Sequence, residues 1–539
     1  MSGLPTYLPE KREFTRPQML RLARRWMDRT GLRLVLHEKL TSATGRRRIL
    51  APDALLMLLF MYAITHRDTF WISDVCRLAD TLTNSERIQL GITEPVTYWQ
   101  IDGGLDDLCR ALEPDDAPEH VNKRTGEVIP RRHNLDMPIP EFLTRLVSAA
   151  IPERLPPSAT VAIDGTDAPS WGRKFKTDRV TGERGESTLD CGASIGHRTA
   201  TEQHSEEMFY GRMIHITVDV AEMGGLPRPA LARSANIVKA SGGEGDSNAP
   251  AGIATVDAHE KVVGKITHII ADRGYTQAEA KNWAMLLWIR GISQTSDLRD
   301  DQRIVETGPV KGTIWCDGWL YTNAMPEKLR HLPRLDNDNL TAEEYEELAA
   351  LYEARKAYAF TMSSSLDAET LTIRVKGPAL AGHVRCPNNP ASMSLPYKAT
   401  RPQTKRRPGV PCGCGVTAKL GPEHHARERQ PYLYGTALQV ASYNRRVAVE
   451  SFNAELSLHR GKLQRGTTRC FMANKTELLL AIYIAAANCC IIRDYYAMHP
   501  DLADEGDESM LCHVPKVVRR RKPRKEARHR LLAAVGLAT

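Results

Sequence analysis

Two aspartates and one glutamate stand where a folded chain has most difficulty hiding charge. Asp164 follows the β-branched-rich run Thr160-Val-Ala-Ile163 and precedes Gly165-Thr166, while Asp272 follows Ile266–Ala271 and precedes Arg273-Gly274. An acid at the end of a buried strand costs several kcal/mol to desolvate unless it is paired or metal-bound. Each taken singly also reads as the cap of the turn behind it; two in matched settings are harder to explain that way. Glu450 closes a third segment, Tyr443-Asn-Arg-Arg446-Val-Ala-Val-Glu450. On one helix Tyr443, Arg446 and Glu450, at i, i+3 and i+7, fall within about 60° of one another, a stripe about 10.5 Å long. Val447, Val449 and Phe452 are then left to anchor the helix in a core. An Arg one turn before a Glu is otherwise an ordinary helix ion pair worth a few tenths of a kcal/mol. Asp167, three residues past Asp164, ranks second as a site acid.

A softer set of ligands lies further along. Cys386, Cys412 and Cys414, with His383, His424 and His425, gather zinc-type donors in one stretch. Structural zinc normally uses Cys-x2-Cys spacing, so a Cys-x-Cys pair far from a lone Cys is atypical. Free thiols in a loop-rich module are the competing reading. Cys489-Cys490 reads as core packing, and His215 and His268 as core histidines with satisfied ring nitrogens. Trp171, Trp315 and Trp319 offer surfaces for base stacking, although Trp at a loop–strand junction more often closes a core.

These residues need a scaffold to bring them together. Residues 1–150 read as helical: apolar spacing predicts helices over 50–66, 72–82 and 96–112, a pattern that suits a DNA-binding bundle of helix-turn-helix kind. From 151 to 300 the pattern turns to strands at 160–163, 208–220, 230–239, 266–270 and 292–294, with a loop over 174–206 and a helix over 277–290. Each strand bearing an acid is expected to end at it, in a Gly turn. Residues 301–430 read as an insertion opened by the capping box Thr341-x-x-Glu344, with a strand near 370–375. Two strong helices, 443–458 and 477–492, follow within 431–500. The whole predicts an α/β fold, a mixed sheet flanked by helices and interrupted by an insertion domain, with an all-α N-terminal region.

Composition narrows the partner. The chain has 539 residues and a net charge of +8, too long for one core. Between Lys516 and Arg530 nine Lys or Arg, among them Arg519, Arg520 and Arg521, face one acid, Glu526. That block accounts for the whole excess, so 501–539 reads as a flexible basic arm drawn to phosphate backbones by counterion release. Smaller basic clusters recur at Arg46-Arg47-Arg48, at Lys405-Arg406-Arg407, and at Arg460, Lys462, Arg465 and Arg469. A nucleic acid is the partner this distribution favours. Eleven irregularly spaced cysteines suit reduced thiols in a cytosol. The longest apolar runs, 54–64 and 478–492, are shorter than the roughly 18–20 residues a bilayer needs and predict buried helices, not membrane spans.

Taken together, IDGT at Ile163–Thr166, ADRGY at Ala271–Tyr275 and Tyr-x2-Arg-x3-Glu at Tyr443–Glu450 resemble the signature of DDE transposases of bacterial insertion sequences. The nearest pattern is that of the insertion-sequence-four superfamily, with its Tyr-Arg-Glu signature. The resemblance runs from about residue 158 to 495. It implies an RNase H-like core in which Asp164, Asp272 and Glu450 hold two Mg2+ (or Mn2+) ions, with Arg446 and Tyr443 contacting phosphate or orienting the glutamate. It also implies cleavage of element-end DNA and strand transfer into target DNA, a homodimer in the synaptic complex, and a cytoplasmic, nucleoid-associated protein. An all-carboxylate set suits hard, oxygen-seeking cations, and two of them can drive an in-line displacement at phosphorus. The family's Lys seven residues after the Glu is Ser457 here, with His459 and Lys462 nearby. A DNA-binding protein of the same descent without catalysis is the alternative.

Overall fold

In the computed structural model, residues 14–499 are described except 41–47, 115–119, 122–124, 130–132, 178–181, 183, 187–189, 191, 199–206, 241–247, 336–339, 397, 406–409, 460 and 472. The basic arm with Arg519, Arg520 and Arg521 therefore lies outside the described residues, as do Arg46, Arg47, Arg406, Arg407 and Arg460.

The chain is mixed α/β, with a six-stranded mixed sheet flanked by helices. Its strands are β1 (Thr160–Pro169), β2 (Ser194–Arg198), β3 (Glu207–Asp219), β4 (Ala232–Lys239), β5 (His268–Ala271) and β6 (Ser293–Thr295). β3 is the organiser. Its first residues pair with β2, and the rest is flanked by β1 and β4, all antiparallel. On the other side of β1 the sheet becomes parallel, β1 to β5 and β5 to β6.

Side-chain alternation decides which face each acid takes. Val161 and Ile163 of β1, with Ile269 and Ala271 of β5, pack into one cluster; Ala162 and Ile270 belong to the cluster on the opposite face. Two residues on from Ala162 and Ile270 come Asp164 and Asp272, so both acids take that second face. Asp167, an odd step from Asp164, takes the other.

Eight helices matter for the site: α1 (Arg16–Thr30), α2 (Pro52–Thr65), α3 (Tyr98–Ala111), α4 (Ile139–Ser148), α5 (Asn248–Val262), α6 (Ala437–Asn444), α7 (Val447–Ala454) and α8 (Ala473–Met498). α5 covers the first face; α7 crosses β1 and β3 on the second. α8 runs through the middle of the molecule, against α2, α3, α4 and β4. By length and composition it can cross a bilayer, but 94% of its apolar window is buried inside the protein. One continuous hydrophobic cluster joins α1–α4, the sheet and α8, so the boundary at 150 marks a change of sequence character within a single core. Trp26 of α1 shows the join: it stacks on Phe60 at 4.2 Å and donates from Nε1 to the Leu146 carbonyl at 2.7 Å.

Several sequence expectations change. β1 does not turn at Gly165 but continues to Pro169, because the long β3 offers it a partner as far as Gly211. Gly165 answers to close packing within a strand: a Cβ there would meet Met213 Sδ at 3.2 Å. The helix expected over 277–290 is split into Arg273–Thr276, a 3-10 turn at Ala280–Asn282 and Ala284–Ile289. The single helix expected over 443–458 is broken at Arg445-Arg446 and ends in a π turn, Glu455–His459. The loop expected over 174–206 contains β2 and a small hairpin, Phe175–Thr177 with Arg184–Glu186.

Residues 301–430, expected to be an insertion, pack around hydrophobic clusters of their own. Two three-stranded antiparallel sheets, over 305–322 and 361–420, enclose Trp315, Trp319, Tyr321 and Val375, so Trp315 and Trp319 are packing residues. The capping box forms as expected, Glu344 N–H donating to Thr341 Oγ1 at 3.2 Å and Thr341 N–H to Glu344 Oε2 at 2.8 Å.

Asn488, buried in α8, holds that helix to the sheet. Its amide exchanges two hydrogen bonds with the Ala232 backbone, at 3.0 and 2.8 Å, and reaches the Val147 carbonyl at 3.3 Å. Asn488→Leu keeps the volume but strands those backbone groups. It should lower the unfolding free energy by roughly 2–4 kcal/mol in urea titration, and an unchanged midpoint would refute that role.

Candidate active site

β1 and β5 lie side by side with Ile163 level with Ala271, so the next residue on each strand is an aspartate. The two strands then part: β5 stops at Ala271 while β1 runs on along β3. Asp164 thus sits where its strand loses a neighbour, an opening at the carboxyl ends of parallel strands where open α/β sheets take their ligands. α7 spans the opening. Val449 and Phe452 are fully buried and fix its rotation, which turns Arg446 and Glu450 toward the strand ends. Val447, expected to help anchor it, is exposed instead.

One guanidinium joins the three acids. Arg446 reaches Glu450 Oε1 through Nη1 at 2.5 Å, and through Nη2 reaches Asp164 Oδ2 at 3.3 Å and Asp272 Oδ1 at 3.5 Å. The pairing is therefore more than a helix i,i+4 bridge. Asp272 makes no side-chain cap bond to the turn behind it. Asp164 accepts from the Gly165 N–H at 2.9 Å and from Asn453 Nδ2 at 3.2 Å. Neither acid is merely a turn cap. The three carboxylates surround the guanidinium instead of meeting one another. Among the described residues, the group of three metal-type side chains with all donor atoms within 4.8 Å is Cys386, Cys412 and Cys414.

Burial pushes the Asp164 carboxyl up from 3.8 to about 6; Arg446 and the Gly165 N–H pull it down, while Asp272 and Glu450 add to the rise. Burial likewise lifts the Tyr443 phenol to about 12, opposed by Arg446 and reinforced by Asp272, so Tyr443 stays neutral. Tyr443 lies in the last turn of α6 while Glu450 lies on α7, so the expected stripe is carried by two helices and a turn. Behind Asp272, Arg273 is paired with Asp297, which also accepts from Tyr434 at 2.9 Å and Arg334 at 2.5 Å. His215 shares a hydrogen bond of 2.8 Å with the Tyr275 hydroxyl, and His268 bonds Ser293 at 2.6 Å and Thr295 at 3.0 Å. Both histidines are buried, and burial lowers each to about 4.

Asn453 escaped the sequence reading. It follows Arg446 and Glu450 at i+7 and i+3, on the same helical stripe, and that spacing was the available signal. Its Oδ1 and the Arg446 Nε are buried without a hydrogen-bond partner.

The basic residues divide. Lys462 pairs with Asp68 at 3.1 Å. Arg469 lies between two indoles, its guanidinium carbon 3.5 Å from the Trp71 centroid and 4.5 Å from that of Trp171. Arg465 lies over the other ring, 5.6 Å from the Trp171 centroid, and donates to the Trp171 carbonyl at 3.2 Å. Trp71 donates to the Gly466 carbonyl at 2.8 Å, and Phe70 N–H to that of Thr467 at 2.6 Å. Residues 462–470 thus strap the helical region to the segment just past β1, and present alternating indoles and guanidiniums. Ser457 lies in the π turn beyond α7. Trp71 was missed because nothing in its own neighbourhood pairs it with residues some 400 positions away.

Compared with protein-family models, curated proteins and solved structures, the chain finds no match.

The Asp164 shift has a definite sign. The folded protein holds a proton between pH 3.8 and about 6 that the unfolded chain releases, so this group's contribution to stability falls as pH rises through that window. Above it the ionised carboxylate costs on the order of 3 kcal/mol in metal-free protein. Asp164→Asn in EDTA should therefore raise the melting temperature at pH 7.5 and leave it nearly unchanged at pH 4. A lower melting temperature at pH 7.5 would contradict the assignment.

Proposed function

We propose that the chain is a DDE-type transposase, with an RNase H-like core that cuts and rejoins DNA at the ends of an insertion sequence. One observation carries the reading: two aspartates in register at the ends of adjacent parallel strands, joined to a helix-borne glutamate through one guanidinium. The mixed sheet, antiparallel around β3 and parallel from β1 to β6, supports the fold assignment.

The donor set fits divalent cations. With all three acids ionised, one guanidinium leaves two negative charges uncompensated, and every side-chain donor is oxygen, which favours Mg2+ or Mn2+. Asp164, Asp272 and Glu450 would hold two ions, with Asn453 Oδ1 a neutral oxygen beside them. Such ions supply Lewis acidity to the attacking water or 3′-hydroxyl and to the leaving oxygen. The chain's own groups do the rest. Asp164 is the most enclosed of the three, oriented by the Gly165 N–H. Arg446 is the counter-ion of the acids and, once relieved of that role, a bidentate grip for the scissile phosphate. Tyr443, neutral, donates a hydrogen bond without adding charge. The Trp71–Arg469–Trp171–Arg465 stack meets flanking DNA, guanidiniums to phosphates and indoles to unpaired bases. The partner is double-stranded DNA at the element ends and the target, with the arm at Arg519, Arg520 and Arg521 adding counterion release. Synapsis of two ends places two copies of the chain in the active complex, in the bacterial cytoplasm.

A second reading, a DNA-binding protein of the same descent without catalysis, draws on two observations. The carboxylates gather round Arg446 rather than round a shared point, and Ser457 stands where the family has Lys.

Labelled inverted-repeat DNA from the gene's flanks separates them. The transposase reading expects nicking with Mg2+ or Mn2+ but not EDTA, reduced to background by Asp164→Ala, Asp272→Ala or Glu450→Ala with DNA retention within about twofold. Salt-sensitive retention without metal-dependent nicking favours the second reading. Arg469→Ala and Trp171→Ala should each weaken retention by about tenfold while leaving the metal requirement unchanged, since each removes one stacking or phosphate contact worth about 1–3 kcal/mol. Unaltered binding in both would remove the strap from the interface.

A further inference from the structure

We propose that Cys386, Cys412 and Cys414 form a thiolate site for one structural zinc ion in the insertion, separate from the carboxylate centre and independent of the transposase reading. The three sulfurs lie within 4.8 Å of one another, and Cys386 Sγ is 3.6 Å from Cys412 Sγ. A disulfide holds its sulfurs near 2.05 Å. Tetrahedral zinc with Zn–S bonds of about 2.3 Å sets neighbouring sulfurs about 3.8 Å apart, close to the spacing here.

Two tight turns deliver these sulfurs. In Cys386-Pro-Asn-Asn389, the Asn389 N–H donates to the Cys386 carbonyl at 2.9 Å, and the Cys386 N–H donates to Ser392 Oγ at 2.8 Å. In Cys412-Gly-Cys414, Gly413 has φ of 63° and packs so closely on the Gly312 carbonyl that a side chain would collide with it. Only glycine satisfies both demands. The Ala379 N–H, donating to the Cys414 carbonyl at 3.0 Å, pins the loop to the segment after the strand Ile373–Lys376.

Polar groups serve the sulfurs. Asn388 Nδ2 donates to Cys412 Sγ at 3.4 Å, and Thr322 Oγ1 lies 3.1 Å from Cys414 Sγ. Donors such as the Asn388 amide hold and orient metal-binding thiolates, and the Thr322 hydroxyl, which donates to the Cys412 carbonyl, ties the loop in place. A purely apolar cluster of thiols would have no use for them. The histidines expected nearby are engaged elsewhere: His383 with Thr361 at 3.2 Å, His424 with Glu423 at 2.7 Å and His425 with Glu306 at 2.7 Å. The fourth corner therefore falls to solvent, on the side where Cys412 is half-buried and Asn388 exposed. Three soft donors suit zinc over the hard cations of the carboxylate site. The ion clips the 386–389 turn to the 412–414 loop, closing the chain between them.

The test uses the full chain, purified without a His tag from zinc-supplemented cells under mild reductant. About one zinc per chain is expected by mass spectrometry of the metal, released by a mercurial together with three newly reactive thiols. Cobalt substitution should give intense near-ultraviolet thiolate-to-cobalt absorption. Cys412→Ser should lose the metal and that absorption, while Cys76→Ala, in the helical region, keeps both. Wild-type protein with negligible zinc and no cobalt absorption overturns the site, as does a Cys386–Cys412 disulfide in protein unfolded without reductant. Metal retained in both Cys386→Ser and Cys412→Ser overturns it too.

Discussion

Everything at the centre of this molecule answers to one electrostatic constraint. A carboxylate as enclosed as Asp164, with Asp272 and Glu450 beside it, needs a positive charge within hydrogen-bonding distance. Arg446 supplies it. The register of β1 and β5 sets the aspartates side by side, and the buried Val449 and Phe452 set the rotation of α7. The break between α6 and α7 then frees Arg446 to begin a helix, its guanidinium reaching across the opening. Loosening any one of these leaves like charges facing the enclosed Asp164 carboxylate without their counter-ion.

That arrangement keeps the site in a poised state. Burial outweighs the pull of Arg446 and lifts the Asp164 carboxyl to about 6, the kind of shift that clusters at functional sites. Asn453 points the same way, with an amide oxygen buried beside Asp164 and no protein partner. A scaffold optimised only for stability would satisfy that oxygen or replace it by an apolar group.

Much of this was legible in the chain, for identifiable reasons. Strand periodicity and the β-branched runs located β3, β4, β5 and β6 to within a few residues and β1 at its start, and Asp164 and Asp272 stood out because acids are rare beside such runs. The Arg446–Glu450 pair was visible at helical spacing. What local pattern cannot carry is the length of a partner strand. β1 passes through its glycine because β3 is long enough to pair with it. The split of the 443–458 segment was hidden because even Arg445 and Arg446 at the break keep right-handed helical backbone angles, so no residue there signals it. Of the three histidines near the cysteines, His424 turns to its neighbour Glu423, and His425 is drawn to Glu306, more than a hundred positions earlier in the chain. Arg469 meets Trp71 only through tertiary folding.

The placement of α8 has a consequence for how the protein is made. It is the last described helix in the chain and lies at the middle of the core that α2 helps build. At about 5–20 residues per second, ribosomes need on the order of 20–80 s to travel from the end of α2 to the start of α8. Throughout that interval the newly made helices have an apolar face and no permanent cover. A chain that stops before α8 therefore leaves the faces of α2, α3 and α4 that this helix covers open to solvent.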